Sequence, residues 1–433
     1  MADLPRFGAN DFYLVETDAL ALREQLRASL EEVLDRDVLD SDPHMVLASA
    51  FLPYLVQGQA SADASAKATL RAFAVGADLD RIADSTCVVG YMDRLPARGA
   101  VLACILTATI TRPSFVNAGA VTLTWEASRM VTVDGEDIEF TASGEFEIPF
   151  DAAVSSKAVS VPIYLVSGVP GSAYNGLFSP DSALPVVDSD ITVTASAADE
   201  SGAECAISGV IVSRCGSTYN GSDVESDDSF AERAGWQAKA LRVPGSYEYF
   251  ELALSEIHLL ASCYIAPRVD SDGRIVTAWC DKVAYYAENA GITLDLRGAA
   301  YDEFRSAIQG SLLVEQRVMA YPALASYAVY AASYWLPSNT TDIASARKAI
   351  EAAWRTYVSE HAWHCGIVLS IPEMVAVLKN AGATRVSIYT DAQGYNVLPA
   401  DTMLPESRIS LIYAGQSTDS KPPAGSDGEE ITP

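Results

Sequence analysis

Positive charge is scarce in this 433-residue sequence: 29 lysines and arginines stand against 57 aspartates and glutamates, a formal net charge of −28. A surface that negative repels phosphate at long range, which argues against nucleic acid and an anionic membrane as partners. Histidine is rare, at four residues, and the seven cysteines form no C-x-x-C pair. Most sit in apolar stretches such as Val101-Leu102-Ala103-Cys104-Ile105 and read as buried free thiols of a reducing compartment. The N-terminus has no apolar core after a basic start, so no secretory signal is visible. From Val318 to Thr341 there is no charge, but Pro322, Pro337 and five tyrosines and serines between them make the run too broken to span a membrane. It reads as a buried element.

Catalytic signatures are missing too. There is no G-x-S-x-G, no phosphate-cradling glycine loop and no H-E-x-x-H. Asp270-x-Asp272-Gly273 imitates the start of a calcium loop, but Trp279 stands where the last acidic ligand belongs, so it reads as a turn. His361-Ala362-Trp363-His364-Cys365 is the one cluster of metal-ligand types. Two histidines three apart can share a helix face, yet no third well-placed ligand is evident, and histidines near the carbonyls of a helix end are the better reading. Acids are so abundant that no single carboxylate pair stands out as glycosidase-like. The expectation is a non-enzyme with no metal and no cofactor.

What is present is core-forming material. Hydrophobic residues make up 49% of the chain, and its length predicts two to four domains. Thr17-Asp18-Ala19-Leu20 caps a helix carrying Leu22, Leu26 and Leu30 at helical spacing. Asp42-Pro43 opens a second, more apolar one through Phe51 and Leu55. From Gly99 the pattern turns to short β-rich runs punctuated by Gly, Pro, Asn and Asp. Helices return at Ser226–Leu241 and Tyr247–Leu260, followed by a hairpin of Cys263–Val269 and Arg274–Cys280. Ala323–Leu336 fits a helix face and a strand alternation equally well. Helices Ala344–Val358 and Pro372–Lys379 and strands Val386–Tyr389 and Arg408–Tyr413 complete an α/β ending. The fold class expected is α+β multidomain: a helical bundle segment at 1–98, a β-rich domain at 99–220, α/β domains at 221–310 and 311–414, and a disordered acidic tail at 415–433.

Four stretches carry a resemblance. Asp42-Pro43 with Gly76-Ala77-Asp78-Leu79-Asp80-Arg81-Ile82-Ala83 is the first. Pro96-Ala97-Arg98-Gly99-Ala100-Val101, with the β-runs to Tyr174-Asn175, is the second. The most telling is Gly221-Ser222-Asp223-Val224-Glu225-Ser226-Asp227-Asp228-Ser229-Phe230-Ala231-Glu232-Arg233, followed by Pro244-Gly245-Ser246-Tyr247. The last is Asn380-Ala381-Gly382-Ala383-Thr384-Arg385-Val386 after a helix. In this order they resemble the baseplate J-like wedge proteins of contractile phage tails and related contractile injection systems. Two departures are Ala383, where the family usually has Val, and the poorer fit of Asp281–Leu296.

The resemblance implies a structural wedge subunit in the virion tail baseplate. It would form a sixfold ring around the hub and relay the contraction trigger, assembled in the host cytoplasm. Its partners would be other copies of itself, other wedge subunits, and tail hub, spike and sheath proteins. It also calls for a strand at Ala323–Leu336 and copy-to-copy contacts in the C-terminal region. The interface residues expected are Leu22, Leu26, Leu30, Phe51 and Leu55 on the helices and Tyr330 and Tyr334 on that strand. Two rivals are an acidic cell-wall glycan hydrolase, which needs two poised carboxylates in a cleft, and a host-binding tail fibre or adhesin. The second does not account for the helical first hundred residues.

Overall fold

A computed structural model describes residues 14–417 except 71, 87–92, 114–118, 134, 152–153, 179–183, 187–189, 199–201, 241–245, 267–269, 313–315, 327, 366–368 and 391–401. The chain divides into two compact units, Met1–Pro96 with Val224–Val243, and Ala97–Asp223 with Pro244–Pro433. No helix among the described residues is long and apolar enough to cross a membrane.

The first unit is helical. Helix α1 (Ala19–Leu34) starts at Asp18, whose carboxylate accepts the Leu20 N–H at 3.2 Å. Helix α2 (Pro43–Lys67) starts at Asp42, which accepts the His44 N–H at 2.9 Å, with Pro43 at the first position, where its missing N–H is no loss. Near its other end Asp63 pairs with Lys67 at 2.8 Å and accepts the N–H groups of Leu14 and Val15. Helix α3 (Gly76–Thr86) and helix α4 (Asp227–Ala240) share a small core of Ala74, Leu79, Ala83, Phe230, Ala231 and Ala234. From sequence, Ser226–Leu241 heads a domain running on to residue 310. In the structure α4 belongs with α3 instead, because the apolar side of Leu79 and Ile82 is covered by Phe230.

The second unit begins with β1 (Gly99–Thr111), β2 (Ala120–Val133), β3 (Glu136–Pro149), β4 (Ser156–Pro170), β5 (Asp190–Ala197) and β6 (Ala206–Arg214). They form one antiparallel sheet in the order β5-β2-β3-β4-β1-β6, and the two edge strands approach each other, so the sheet curls. Strand β1 is buried on both faces, which is why its sequence is a nearly unbroken apolar run. Leu102, Cys104, Leu106, Ala108 and Ile110 fill the inside of the curl, whereas Val101, Ala103 and Ile105 face a second, larger core.

That core is built by the rest of the unit. After α5 (Tyr247–Ser255), β7 (Ser262–Ile265) and β8 (Ile275–Cys280) form the expected antiparallel hairpin. At its turn the Asp270 carboxylate accepts the N–H groups of Asp272 and Arg274. Helices α6 (Lys282–Asn289) and α7 (Gly298–Ser311) carry the chain over to β9 (Val318–Pro322), parallel to β8. Then come β10 (Leu324–Ala325), β11 (Tyr330–Pro337), α8 (Ile343–His361), α9 (Ile371–Asn380), β12 (Arg385–Thr390), β13 (Thr402–Met403) and β14 (Ile409–Ser417). Strand β11 is central in the order β12-β11-β14, antiparallel to one neighbour and parallel to the other.

The α+β, multidomain fold class is as expected. Two details differ. Ala323–Leu336 is not one strand: Leu324–Ala325 pairs with β13, and only from Tyr330 does the chain join the three-stranded sheet. Strand β14 runs past residue 414 because Ser417 still pairs with Pro337. The tail expected to be disordered lies, from residue 418 on, outside the described residues.

Candidate functional site

The apolar faces of α1 and α2 are the first candidate. Leu22 is buried at 6% exposure and Leu26 and Leu30 are half-buried, so this side of α1 is largely used inside the chain. Helix α2 does the opposite. Leu47, Phe51, Tyr54 and Leu55 recur at helical spacing and are 63%, 57%, 72% and 40% exposed, with Val46 beside them. Full burial of such a side chain is worth about 1.5–3 kcal/mol, so this stripe is a large unused driving force. A patch of this kind is a common mark of an interaction surface.

The motif Gly221–Arg233 becomes two separate devices. Within the first unit, Arg233 grips Glu225 with two bonds, at 2.9 and 2.6 Å, and donates to the Asp93 carbonyl at 2.7 Å. The pair is 7% and 4% exposed. Burial pushes the Glu225 carboxyl up, but Arg233 and the Leu95 N–H outweigh it and hold it below the ordinary range. Arg94 adds salt bridges to Asp80 at 2.7 Å and Asp227 at 2.6 Å, and lies over the Phe230 ring. Within the second unit, Asn175 and Gly221 clasp each other: Asn175 Nδ2 donates to the Gly221 carbonyl at 2.8 Å, and the Gly221 N–H donates to Asn175 Oδ1 at 2.7 Å. A Cβ on Gly221 would stand 2.5 Å from the Gly171 carbonyl oxygen, so only glycine fits. Tyr174-Asn175 and Gly221, far apart in sequence, are thus one local structure.

The densest polar cluster lies in the second unit. Glu406 is 3% exposed, Ser217 6% and Lys282 1%. The Ser217 hydroxyl and backbone N–H both donate to the Glu406 carboxylate, the N–H at 2.7 Å. Lys282 Nζ donates to the Ser217 carbonyl at 2.9 Å and stands 3.5 Å from Glu406, between the rings of Tyr219 and Trp363. Burial pulls the Lys282 pKa down, with Glu406 opposing. Chemically this is a clamp. The Ser217 hydroxyl and N–H are both taken up by the Glu406 carboxylate, while Lys282 donates to the Ser217 carbonyl and stands 3.3 Å from its hydroxyl. It pins the Ser217 loop, the start of α6 and the turn before β14 together. Next to it Asp281, buried, accepts the Tyr164 hydroxyl at 3.1 Å, and burial raises its pKa to about 6.

A cavity of about 590 Å³ opens beside this clamp, between α8, the first residues of β14 and the Gly176–Phe178 loop. Arg347 and Arg355 on α8 contribute to its lining, together with the rings of Trp354 and Tyr413. Arg347 lies over the Tyr413 ring and pairs with Glu351 at 3.3 Å.

Tyr330 and Tyr334, expected as contacts between copies, are each 1% exposed and belong to the core of this chain. Alternation along β11 points them inward from a central strand, where the helices of the same unit cover them. The correction therefore moves the expected contact away from these two tyrosines. In the histidine cluster, the His361 ring stacks on Tyr357 at 4.1 Å and its Nδ1 donates to the Tyr357 carbonyl at 2.9 Å. Burial lowers the His364 pKa, and Ser262 donates to the Cys365 sulfur at 3.8 Å. Among the described residues no group of three or more His, Cys, Asp or Glu is arranged for a metal. The sequence reading missed Ser217, Lys282, Glu406 and Arg355. The signal for Lys282 was a lone lysine after the apolar run Ile275–Cys280; nothing local marked the other three.

No protein-family model and no curated protein matches the chain. Among solved structures it is similar to a chain of the cryo-EM structure of the anti-feeding prophage (AFP) baseplate, 6-fold symmetrised. The overlap has a TM-score of 0.31 and 10% identity, over 92% of this chain and 90% of that one. Similarity at that score does not establish a shared fold.

Proposed function

We propose that the chain is a non-enzymatic structural subunit of a contractile-tail baseplate, a wedge component that docks on other baseplate proteins through α2. The observation that carries this reading is the stripe Leu47, Phe51, Tyr54 and Leu55, which stays exposed on a well-capped helix among the described residues. The motif series from Asp42-Pro43 to Val386 supplies the identity of the assembly. Copies of the chain would stand in a sixfold ring around the hub. Contacts that favour one ring state would be exchanged for contacts that favour another when the tail contracts.

The test uses the double variant Phe51→Glu, Leu55→Glu, co-expressed with the products of neighbouring genes and followed by electron microscopy of the particles. Both positions are exposed, so the variant should keep the wild-type circular dichroism and yet fail to enter assemblies. Normal incorporation of the folded variant would sink the proposal for this face.

A further inference from the structure

The cavity beside α8 is independent of the α2 surface and differs from it in chemistry. Its charged side chains are satisfied with one exception. Arg347 has Glu351, and Glu406 has Ser217 and Lys282. Arg355 has no hydrogen bond or ion pair among the described residues, although its stem is firmly placed. Gly176 has a φ of +67°, and a Cβ built there would sit 2.5 Å from Arg355 Cγ, so the loop backbone packs directly on the arginine's aliphatic part. The arginine is thus held by its stem where it lines the cavity, an exposed positive charge without a partner among the described residues in a protein of net charge −28.

The shape of the cavity narrows the ligand further. Ile409, Ser410 and Leu411 of β14 all contribute to its lining. Ile409, Leu411 and Tyr413 share one face of the strand, and the cavity lies against that face. Among the described residues strand β14 is an edge strand, hydrogen-bonded to β11 on one side only. An unpaired edge offers N–H and C=O groups that an extended chain can use and a compact small molecule cannot.

We propose that this cavity is a binding site for an extended acidic peptide segment, which adds to the free edge of β14 and seats a carboxylate on Arg355. Alternate side chains of the added strand would face the cavity, one of them carrying the carboxylate. An arginine–carboxylate contact is charge-assisted and can be bidentate, which fixes the register of the added strand. The general repulsion of an acidic ligand by this acidic chain is screened beyond roughly 8–10 Å at physiological salt, so the local contact decides.

Fluorescence anisotropy tests this with the full chain at physiological salt and a short fluorescein-labelled peptide of alternating glutamate and valine. Saturable binding is expected, weakened about tenfold or more by Arg355→Glu, a change of roughly 1.4 kcal/mol or more. Arg355→Lys should fall between the two. Because Arg355 is exposed, Arg355→Glu should melt like the wild type, so loss of binding is not loss of fold. A peptide N-methylated at alternate amides should bind much more weakly, and glutarate should compete poorly. Equal binding by wild type and Arg355→Glu would overturn the proposal, as would absence of saturable binding. Undiminished binding of the N-methylated peptide, or equal competition by glutarate, would overturn the strand-addition geometry.

Discussion

The two units spend their apolar residues in opposite ways. In the second, β1 is buried on both faces, and Tyr286, Tyr330, Tyr334, Phe250 and Phe304 are all within 2% of full burial. In the first, α2 is 25 residues long, yet its buried positions are Met45, Asp63 and Lys67, while Leu47, Phe51, Tyr54 and Leu55 stay outside. What holds the first unit is to a large extent polar: the caps at Asp18 and Asp42, the Asp63–Lys67 pair, and the Arg94 and Arg233 grips. Apolar content therefore does not tell whether a segment completes its own core. What matters is whether the fold brings a second layer to the apolar face.

The comparison is broken most easily at the buried clamp. Lys282→Met leaves Glu406 in the core without its cation and should cost the second unit about 3–5 kcal/mol, read as a lowered unfolding transition in urea or by heat. The double variant Lys282→Met, Glu406→Gln should regain much of that loss. If the single variant lowers all transitions together, the two units are not separate cooperative bodies.

Arg233→Met performs the same operation on the first unit. Glu225 would lose both of its bonds from Arg233, and a loss of about 3 kcal/mol is expected in that unit's transition, with the second unit unmoved. A change within 0.5 kcal/mol would show that Arg94 and the Leu95 N–H suffice.

Acid acts with opposite sign on one aspartate of each unit. The His44 N–H, the His44 ring and Arg36 hold Asp42 down to about 2. Its folded pKa is depressed, so the stability it gives the first unit is present above pH 4 and lost as pH falls toward 2. Asp281 in the second unit is raised to about 6 by burial, so the native state binds the proton more tightly than the unfolded chain. Its effect is to stabilise the fold below pH 4 relative to pH 7, with the advantage lost as pH rises from 4 through 6. The full span is about 3 kcal/mol. Burial lowers His258 and His364 in the same unit, which act in the opposite sense. The difference between wild type and Asp281→Asn across pH 4–7 isolates the aspartate; a flat difference would refute its burial effect.

The smallest expected effect is the most telling. Phe51→Glu with Leu55→Glu should change the stability of the free chain by less than about 0.5 kcal/mol, since both positions are exposed on the helix surface. A loss above 2 kcal/mol in the melting curve would mean that the stripe is covered within this chain.

The sequence by itself determined what depends on near neighbours. The helix starts at Asp18 and Asp42-Pro43, the turn at Asp270–Gly273 and the change of period at Gly99 were all legible, because caps, turns and alternation are local properties. Tertiary structure alone decided the rest. Whether Tyr330 and Tyr334 face a partner or a core depends on β12 and β14 flanking β11, strands contributed from 50 to 80 residues further on. Glu406 meets Ser217 across 189 residues and Asn175 meets Gly221 across 46, and no spacing rule in the sequence joins them. Charged residues look alike in sequence whether they end in solvent or in a core; their partners are chosen by the fold, because a buried charge persists only where distant segments converge to satisfy it.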